Sequence, residues 1–216
     1  MIKLIRGVDK NQYKPLIDAM YRNRADVFAE RLGWDVHVED GLEFDQFDQA
    51  NPLYIVSVDP HTGKYRGSTR LLPTTGPNML RDVFSCLLDD GDEIASATIW
   101  EGTRFSVDPD QDSVRSRKGV SVVTGELLCG AFEIGLMAGL SHIVAVYDAR
   151  MSRVFDRADC QAELIGRPQR IGKVMTYAGF FEVSEETLMR VRAAAGVTES
   201  VLEPDLPAAI SELRAA

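Results

Sequence analysis

The sequence predicts an α/β fold with a mixed sheet, and three observations lead to this class. The chain begins with an antiparallel pattern, in which a strand is followed by a hairpin. Its middle is a strand–helix–strand crossover, with extended segments at 94–107 and 142–148 around a helix at 116–139. Its last third mixes short strands and helices. This order of elements is typical of a sheet that holds both parallel and antiparallel strands.

The first half is predicted as a strand, a helix, a long loop and a hairpin. Apolar residues recur at helical spacing after the first strand, and Asp9 is the expected N-cap of that helix. A turn with Pro60 and Gly63 joins the two hairpin strands. The predicted elements are a strand at 2–7, a helix at 9–32, a loop at 33–51, strands at 53–59 and 65–73, and a short helix near 80–88.

The second half completes the predicted core after the crossover. The chain has 216 residues, no internal repeat and no linker rich in Pro, Gly and Ser, so one domain is expected. The predicted elements are a helix at 150–158, strands near 161–166 and 173–180, a helix from Ser184 and a peripheral helix at 198–216.

Composition and charge exclude several classes of function. The 24 Lys and Arg stand against 33 Asp and Glu, a net charge of −9, which disfavours nucleic acid as a partner. No apolar run is long enough to cross a membrane and the N-terminal segment lacks a signal peptide, so a cytoplasmic protein without a membrane partner is expected. Cys86, Cys129 and Cys160 are expected to be buried and reduced. They form no zinc-ligand pattern with the three histidines, so no metal is expected.

Two predicted elements carry a charge where the pattern is otherwise apolar. In the strand "WEGTRF", Glu101 and Arg104 would point to opposite faces, but a bulge at Gly102 would bring both into one cleft. The alternative is an edge strand with a solvated ion pair. In the helix, Arg24 continues a row of apolar residues spaced four apart, so it is expected to have an anionic partner. The alternative is that its side chain extends along the apolar surface and places the guanidinium in water.

The loop at 33–51 is predicted to be an ordered lid. A loop of this length inside a domain is usually functional or disordered, and the aromatic residues spaced through it favour order. Asp45 and Asp48 lie three positions apart within the loop. The alternative is that its acids form a solvated surface.

Four motifs in this order resemble the LuxI-type acyl-homoserine lactone synthases, the autoinducer synthase family. The resemblance covers about residues 1–180. Its motifs are "RADVFAERLGW" with Arg24, Phe28 and Trp34, "EFDQFD" with Asp45 and Asp48, "RLLPTTGPNML" with Arg70, and "IWEGTRF" with Glu101 and Arg104.

The resemblance implies a GNAT-like fold, in which a mixed, twisted sheet has helices on both faces of a single domain. Two neighbouring parallel strands, here 96–107 and 142–148, would splay into a V-shaped cleft that admits an acyl-pantetheine arm. The domain spans 1–216 and would divide into an N-terminal S-adenosylmethionine-binding helix and lid (1–52), a sheet core with the acyl site (53–183) and C-terminal helices (184–216).

The implied activity is that of an acyltransferase that makes a quorum-sensing signal. An acyl thioester would acylate the amine of S-adenosylmethionine, and lactone closure would then release methylthioadenosine. Both compounds are substrates, and no cofactor is implied. The amine needs a base, for which Glu101 is the expected residue, directly or through water. The implied catalytic residues are Glu101, Asp45, Asp48 and Arg70, and the implied S-adenosylmethionine-binding residues are Arg24, Phe28, Trp34, Arg104 and Phe105.

The acyl donor would be an acyl-coenzyme A or an acyl carrier protein. A net charge of −9 repels an acidic carrier protein unless a local basic patch intervenes. Basic residues late in the chain and before the long helix could form such a patch, and they could equally bind coenzyme A phosphates. In the family, a threonine often accompanies 3-oxo acyl chains, and Ala145 takes its place here. These features favour a short, branched or aryl acyl-coenzyme A. The expected acyl pocket consists of Val144, Ala145, Val146, Tyr147, Met151 and Phe155.

Two other functions fit a GNAT-like fold. An N-acyltransferase that acts on another amine should carry the pattern Q/R-x-x-G-x-G/A before its long helix, whereas "RSRKGVSVV" holds only Gly119. A regulatory binding module without catalysis would not need Glu101 or the charged and aromatic set of the N-terminal segment.

Overall fold

Nine strands are found in the computed structural model of the protein, within the described residues 1–90, 92–111 and 114–204. They are β1 (Ile2–Arg6), β2 (Val38–Glu39), β3 (Leu42–Glu43), β4 (Leu53–Val58), β5 (Tyr65–Pro73), β6 (Ile99–Val107), β7 (His142–Asp148), β8 (Glu163–Ile171) and β9 (Val174–Glu182). Seven of them form one sheet in the order β1, β4, β5, β6, β7, β9, β8, while β2 and β3 form a separate small hairpin.

The parallel pair of this sheet is β6 and β7, and its other neighbouring strands are antiparallel throughout the described part of the chain. Pairing between β6 and β7 runs only from Ile99 with His142 to Gly102 with Ala145, although both strands continue further. A V-shaped cleft therefore opens beyond Gly102. The α/β class, the mixed sheet and the cleft between two parallel strands are confirmed.

Helices cover both faces of the sheet. The α-helices are α1 (Lys14–Arg24), α2 (Met79–Asp82), α3 (Val122–Met137), α4 (Ala149–Arg157) and α5 (Glu185–Ala195). Apolar residues of α3, α4 and α5 share a core with one face of the sheet, and α1 packs its apolar side on the opposite face over β1, β4 and β5. The cleft is thus enclosed from both sides of the sheet.

The single helix predicted at 9–32 is three consecutive helical segments. A 3₁₀ helix covers Gly7–Tyr13, α1 follows, and a π-helix covers Ala25–Arg31. The prediction of Asp9 as N-cap is wrong, since Asp9 lies inside the 3₁₀ helix and accepts a hydrogen bond from Arg6. The α-helix begins later because Pro15, which has no N–H to donate, fits its first turn.

The bulge predicted at Gly102 lies further along β6. Two residues of this strand, Arg104 and Phe105, stand opposite the single residue Thr69 of β5. Arg104 has φ 53°, a left-handed conformation that costs energy in a non-glycine residue and redirects its side chain. Gly102 itself stays paired, at the last position before the cleft opens.

Several predicted boundaries differ from the structure. β6 begins at Ile99 and not at 94, and α3 begins at Val122 because Ser121 caps it, after a turn in which Gly119 has φ 78°. β8 and β9 are longer than predicted because they pair as a hairpin. Cys86 is exposed, contrary to prediction, whereas Cys129 and Cys160 are buried.

The helix predicted at 198–216 is absent from 198–204. This stretch is irregular, and Leu202 forms an isolated parallel bridge with Ile2 at the edge of the sheet. The remainder of the predicted helix lies outside the described residues.

Candidate active site

Arg24 is the centre of a buried ion-pair network with acids of residues 33–51, the segment predicted to be a lid and called the lid below. Its side chain, which lies at the end of α1, is 1% exposed. Its Nε donates to Glu43, and its Nη1 and Nη2 donate to the two carboxylate oxygens of Asp48 at 3.0 Å each. The prediction that Arg24 requires an anionic partner is confirmed, because the partners are in place and the guanidinium does not reach water.

Arg70, from β5, holds the two lid aspartates together. Its Nη1 donates to Asp45 at 2.6 Å and to Asp48 at 2.9 Å, and its Nε donates to the hydroxyl of Thr103 at 3.0 Å. The aspartates are also fixed by their own backbone, since they form the capping box of a 3₁₀ helix at Gln46–Gln49. Asp45 and Asp48 therefore do not belong to a solvated surface, whereas the loop acids Asp35, Glu39 and Asp40 are exposed.

Arg104 joins the network from the bulge in β6. Its Nη2 lies 2.9 Å from both Glu43 and Asp45. Three arginines thus face three acids, and the network is electrically balanced. β6 lies between β5 and β7, so the alternative of an edge strand with a solvated ion pair is excluded.

The network keeps its charges because each one is paired. Burial works to raise the pKa of Asp48, but the guanidinium groups of Arg24 and Arg70 outweigh it and hold that pKa well below its ordinary value. The Tyr54 hydroxyl also donates to Asp48, at 2.8 Å. Burial lowers the pKa of Arg104 in spite of the acids around it.

Glu101 lies apart from these acids and is fully buried on β6. Its two oxygens accept hydrogen bonds from the backbone N–H of Met79 at 2.7 Å and of Leu80 at 2.6 Å, at the start of α2. Burial raises its pKa to about 7, against the opposing effect of those two hydrogen bonds and of Arg70. A carboxyl group with this pKa can both take up and release a proton at neutral pH.

A cavity of about 190 Å³ passes through the cleft between β6 and β7. Its wall on the lid side includes Met79, Thr103 and Arg104, and the aromatic rings of Phe28 and Trp34, whose centroids lie 5.1 Å apart. Arg104 lies over the ring of Phe28, with its Cζ 5.2 Å from the centroid. The π-helix supplies Phe28, and such helices are frequent at functional sites.

The opposite end of the cavity is apolar and is closed by aromatic side chains. The ring of Phe155, from α4, lies 5.3 Å from that of Tyr147 on β7 and 4.7 Å from that of Phe181 on β9. Leu128 and Phe132 of α3 also face this end. The shape suits an apolar group of limited length that enters from the cleft.

The sequence-predicted site residues fall into three sets. Those on the cavity wall are Phe28, Trp34, Arg104, Phe105, Ala145, Val146, Tyr147, Met151 and Phe155. Those behind the wall are Arg24, Asp45, Asp48, Arg70 and Glu101. Val144 does not line the cavity, because successive side chains of a strand alternate between the two faces of the sheet. Its neighbours Ile143 and Ala145 line the cavity, whereas Val144 packs with Leu80 and Leu87.

Glu43 is the member of the network that the sequence reasoning missed. It is fully buried, and it accepts hydrogen bonds from both Arg24 and Arg104. A signal was available, since it precedes Asp45 by two positions in an extended segment and so projects from the same side. Three buried arginines also require three acids.

A second cavity, of about 340 Å³, adjoins the first at the amino end of α3. The two cavities share Phe105, Met151, Arg31 and Arg150. Two further arginines, at positions 115 and 157, line the second cavity. Four guanidinium groups beside a helix N-terminus form an environment that favours anions.

Among the residues that the structure describes, no three His, Cys, Asp or Glu side chains are grouped so that they could hold a metal ion. In the same part of the chain, no helix is both long and apolar enough to span a bilayer.

The fold and the site define a class of protein. A mixed sheet whose parallel central strands separate around a through-going cavity, with the crossover helix starting beside the opening, is the architecture of GNAT-like acyltransferases. A family model described as autoinducer synthase matches residues 9–191. The chain therefore belongs to the autoinducer synthase family, and it is an acyltransferase that makes an acyl-homoserine lactone for quorum sensing.

Individual relatives agree with this assignment. An acyl-homoserine-lactone synthase of Rhizobium etli is 38% identical over 178 residues, which cover 82% of this chain and 81% of that protein. The structure of the CoA-dependent acyl-homoserine lactone synthase MesI has a TM-score of 0.81 at 26% identity, over 94% of this chain and 100% of that one. The CoA-dependent synthase BjaI, solved with SAM and isopentyl-CoA, shares the fold with a TM-score of 0.84 at 23% identity, over 100% and 99% of the two chains.

Proposed function

We propose that the protein makes its acyl-homoserine lactone from S-adenosylmethionine and an acyl-coenzyme A with a short, branched or aryl acyl group. The observation that carries this proposal is the cavity through the cleft, which joins the ion-pair network to an apolar end closed by aromatic rings. The relatives support it, because MesI is CoA-dependent and BjaI was solved with S-adenosylmethionine and isopentyl-CoA.

S-adenosylmethionine would bind on the lid side of the cavity. Arg104, on the cavity wall, would bind its carboxylate, and the faces of Phe28 and Trp34 would cover its sulfonium and adenosyl groups. Asp45 and Asp48 accept several hydrogen bonds from guanidinium groups, so their part would be to fix the arginines. A neutral network also avoids repelling a substrate with a net positive charge.

Acyl transfer would take place where β6 and β7 separate. The amine nitrogen attacks the thioester carbonyl, the new C–N bond forms, the C–S bond breaks, and the thiol leaves. Glu101 does not reach the cavity wall, so it would remove the amine proton through a water molecule. Backbone N–H groups of β6 beyond Gly102, near Phe105, no longer pair with β7 and would stabilise the oxyanion.

Lactone closure would follow in the same site. The carboxylate oxygen attacks the γ-carbon of the methionyl chain, a C–O bond forms, the C–S⁺ bond breaks, and methylthioadenosine leaves as a neutral thioether. The arginine that oriented the carboxylate would now hold it near that carbon. No cofactor or metal takes part in this scheme.

The second cavity suits the phosphates of coenzyme A, and this yields a prediction about the acyl donor. With one short branched acyl group, kcat/KM should be higher for acyl-coenzyme A than for the acyl carrier protein, with methylthioadenosine and lactone released in equal amounts. Steady-state assays that follow methylthioadenosine by chromatography provide the measurement. A preference of about tenfold or more for the carrier protein, about 1.4 kcal/mol, would overturn the choice of donor.

A variant pair localises this donor site. Arg157→Gln removes a charge from the second cavity and should raise KM for acyl-coenzyme A. It should leave KM for an acyl-pantetheine without the nucleotide unchanged. Arg190→Gln is the matched control, because this half-exposed arginine lies on α5 and lines neither cavity.

The lid should respond to S-adenosylmethionine in two parts. Residues 35–41 are mostly exposed, whereas Glu43, Phe47 and Asp48 are buried and already bonded to the body of the protein. Amide hydrogen exchange in 33–41 should therefore slow on binding, and 43–48 should be protected beforehand. Exchange in 33–41 that is the same with and without S-adenosylmethionine would argue against a lid.

A further inference from the structure

Met79 occupies an unusual position between the base and the ion-pair network. Its backbone N–H donates to Glu101 at 2.7 Å, and its Sδ accepts from Nη2 of Arg70 and from Nη1 of Arg104, both at 3.5 Å. The side chain is 7% exposed and forms part of the cavity wall. One residue thus contacts the carboxyl group with the raised pKa and two arginines.

The hydrogen bonds of Arg70 are strong in all directions except toward Met79. The remaining donors of Arg70 bind the carboxylates of Asp45 and Asp48 and the hydroxyl of Thr103, at 2.6–3.0 Å. A thioether sulfur is a weak acceptor by comparison. The guanidinium of Arg70 therefore has one donor that a better acceptor could claim.

Arg104 shows the same asymmetry. Its Nε and Nη2 face Glu43 and Asp45 at 2.9–3.1 Å. Its Nη1 is bonded, within the described residues, to the sulfur of Met79. The weakly satisfied donors of both arginines thus converge on one sulfur atom, and that atom lies at the wall of the cavity.

We propose that the thioether of Met79 is a place-holding acceptor, which the carboxylate of S-adenosylmethionine displaces from Nη2 of Arg70 and Nη1 of Arg104. This inference rests on the proposed function, since it takes S-adenosylmethionine as the ligand of the cavity. A carboxylate makes charge-assisted hydrogen bonds with guanidinium groups, which are much stronger than those of a thioether. Methionine has three rotatable side-chain bonds, so its sulfur can move aside at small cost.

A weak acceptor for these two donors benefits the enzyme before S-adenosylmethionine binds. Two buried guanidinium donors without a partner would destabilise the site, whereas a strong protein acceptor would compete with the substrate. A thioether avoids both problems, because it satisfies the donors weakly and releases them readily. Met79 is therefore a positioning residue, which acts through the two arginines and through its N–H on Glu101.

Two substitutions at this position test the proposal, because they change acceptor strength in opposite directions. Met79→Gln introduces a strong carbonyl acceptor, and Met79→Leu removes the acceptor while nearly keeping the volume. Calorimetry with S-adenosylmethionine alone should show that Met79→Gln raises its Kd about tenfold or more. Met79→Leu should leave that Kd unchanged or lower it, and should lower the Tm relative to Met79→Gln.

Controls separate this role from simple packing. KM for the acyl donor should stay within about twofold in both Met79 variants. Met151 lines the same cavity away from the arginines, so Met151→Leu should change KM for the acyl donor and leave the Kd for S-adenosylmethionine unchanged. Equal changes in Kd for S-adenosylmethionine in both Met79 variants, or no change in either, would overturn the proposal while the wild-type protein still bound S-adenosylmethionine. Absence of binding by the wild-type protein would instead overturn the proposed function as well.

Discussion

Replacement of Glu101 by glutamine should lower kcat by about 100-fold or more, the usual scale of a lost general base. Glutamine keeps the length of the side chain and one acceptor for the N–H groups of Met79 and Leu80, but it cannot take up a proton. The Kd for S-adenosylmethionine should change by less than about tenfold, because the arginine network is untouched. Release of methylthioadenosine under saturating substrates measures the loss.

The pH profile connects this loss to the protonation of Glu101. The base works in its ionised form, so wild-type kcat/KM should fall as the pH drops through about 7, the pKa to which burial raises this carboxyl group. The Glu101→Gln variant should lack this limb. If the variant retains activity within a few-fold of wild type, Glu101 is structural and another group accepts the proton.

A nearby acid provides a control that shifts the limb without removing the base. The charge of Asp82 on α2 contributes to the raised pKa of Glu101, and its own side chain is partly exposed beside Arg81. Asp82→Asn should therefore move the acidic limb to lower pH and leave the plateau rate unchanged. A limb that stays in place would show that it belongs to another group.

Replacement of Glu43 by glutamine should lower the free energy of unfolding by about 3–5 kcal/mol, the cost of breaking a buried ion pair from one side. The substitution leaves the guanidinium groups of Arg24 and Arg104 short of one negative charge at the buried position of Glu43. Urea denaturation followed by fluorescence or circular dichroism gives the difference directly. The same variant should bind S-adenosylmethionine more weakly, because Arg104 loses its orientation.

Two controls test whether charge balance is the cause. Glu39→Gln changes an exposed acid in the neighbouring strand β2 and should alter stability by no more than about 0.5 kcal/mol. The double variant Glu43→Gln/Arg104→Gln restores balance, so it should recover part of the stability, with a coupling of about 0.5–3 kcal/mol. It should not recover activity. A loss below about 1 kcal/mol for Glu43→Gln would contradict the role assigned to the network.

Some features of the site were predictable because they follow from local chemistry. An arginine in the apolar ladder of a helix requires an acid, and the structure supplies two for Arg24. Aromatic residues spaced through the loop at 33–51 favour an ordered segment, and Asp45 and Asp48 are fixed there by their own capping box. The crossover order of the middle segment also determined that β6 and β7 run parallel.

Other features depend on register, which local pattern does not encode. The bulge lies at Arg104 and Phe105 because β5 and β6 pair across a shift of one residue, and this depends on how their side chains pack against the neighbouring layers. Val144 was predicted to line the acyl pocket, but it pairs with Glu101 and packs with Leu80 and Leu87 on the other face of the sheet.

The sequence by itself therefore determined the fold class, the family and most of the charged residues of the site, because residue type and short-range spacing carry that information. Only the tertiary structure decided which charges meet. Glu43 joins Arg24 and Arg104 from 19 and 61 positions away along the chain, and Met79 meets two arginines and Glu101. Contacts between residues so far apart arise from the packing of lid, sheet and α2, and no local periodicity specifies them.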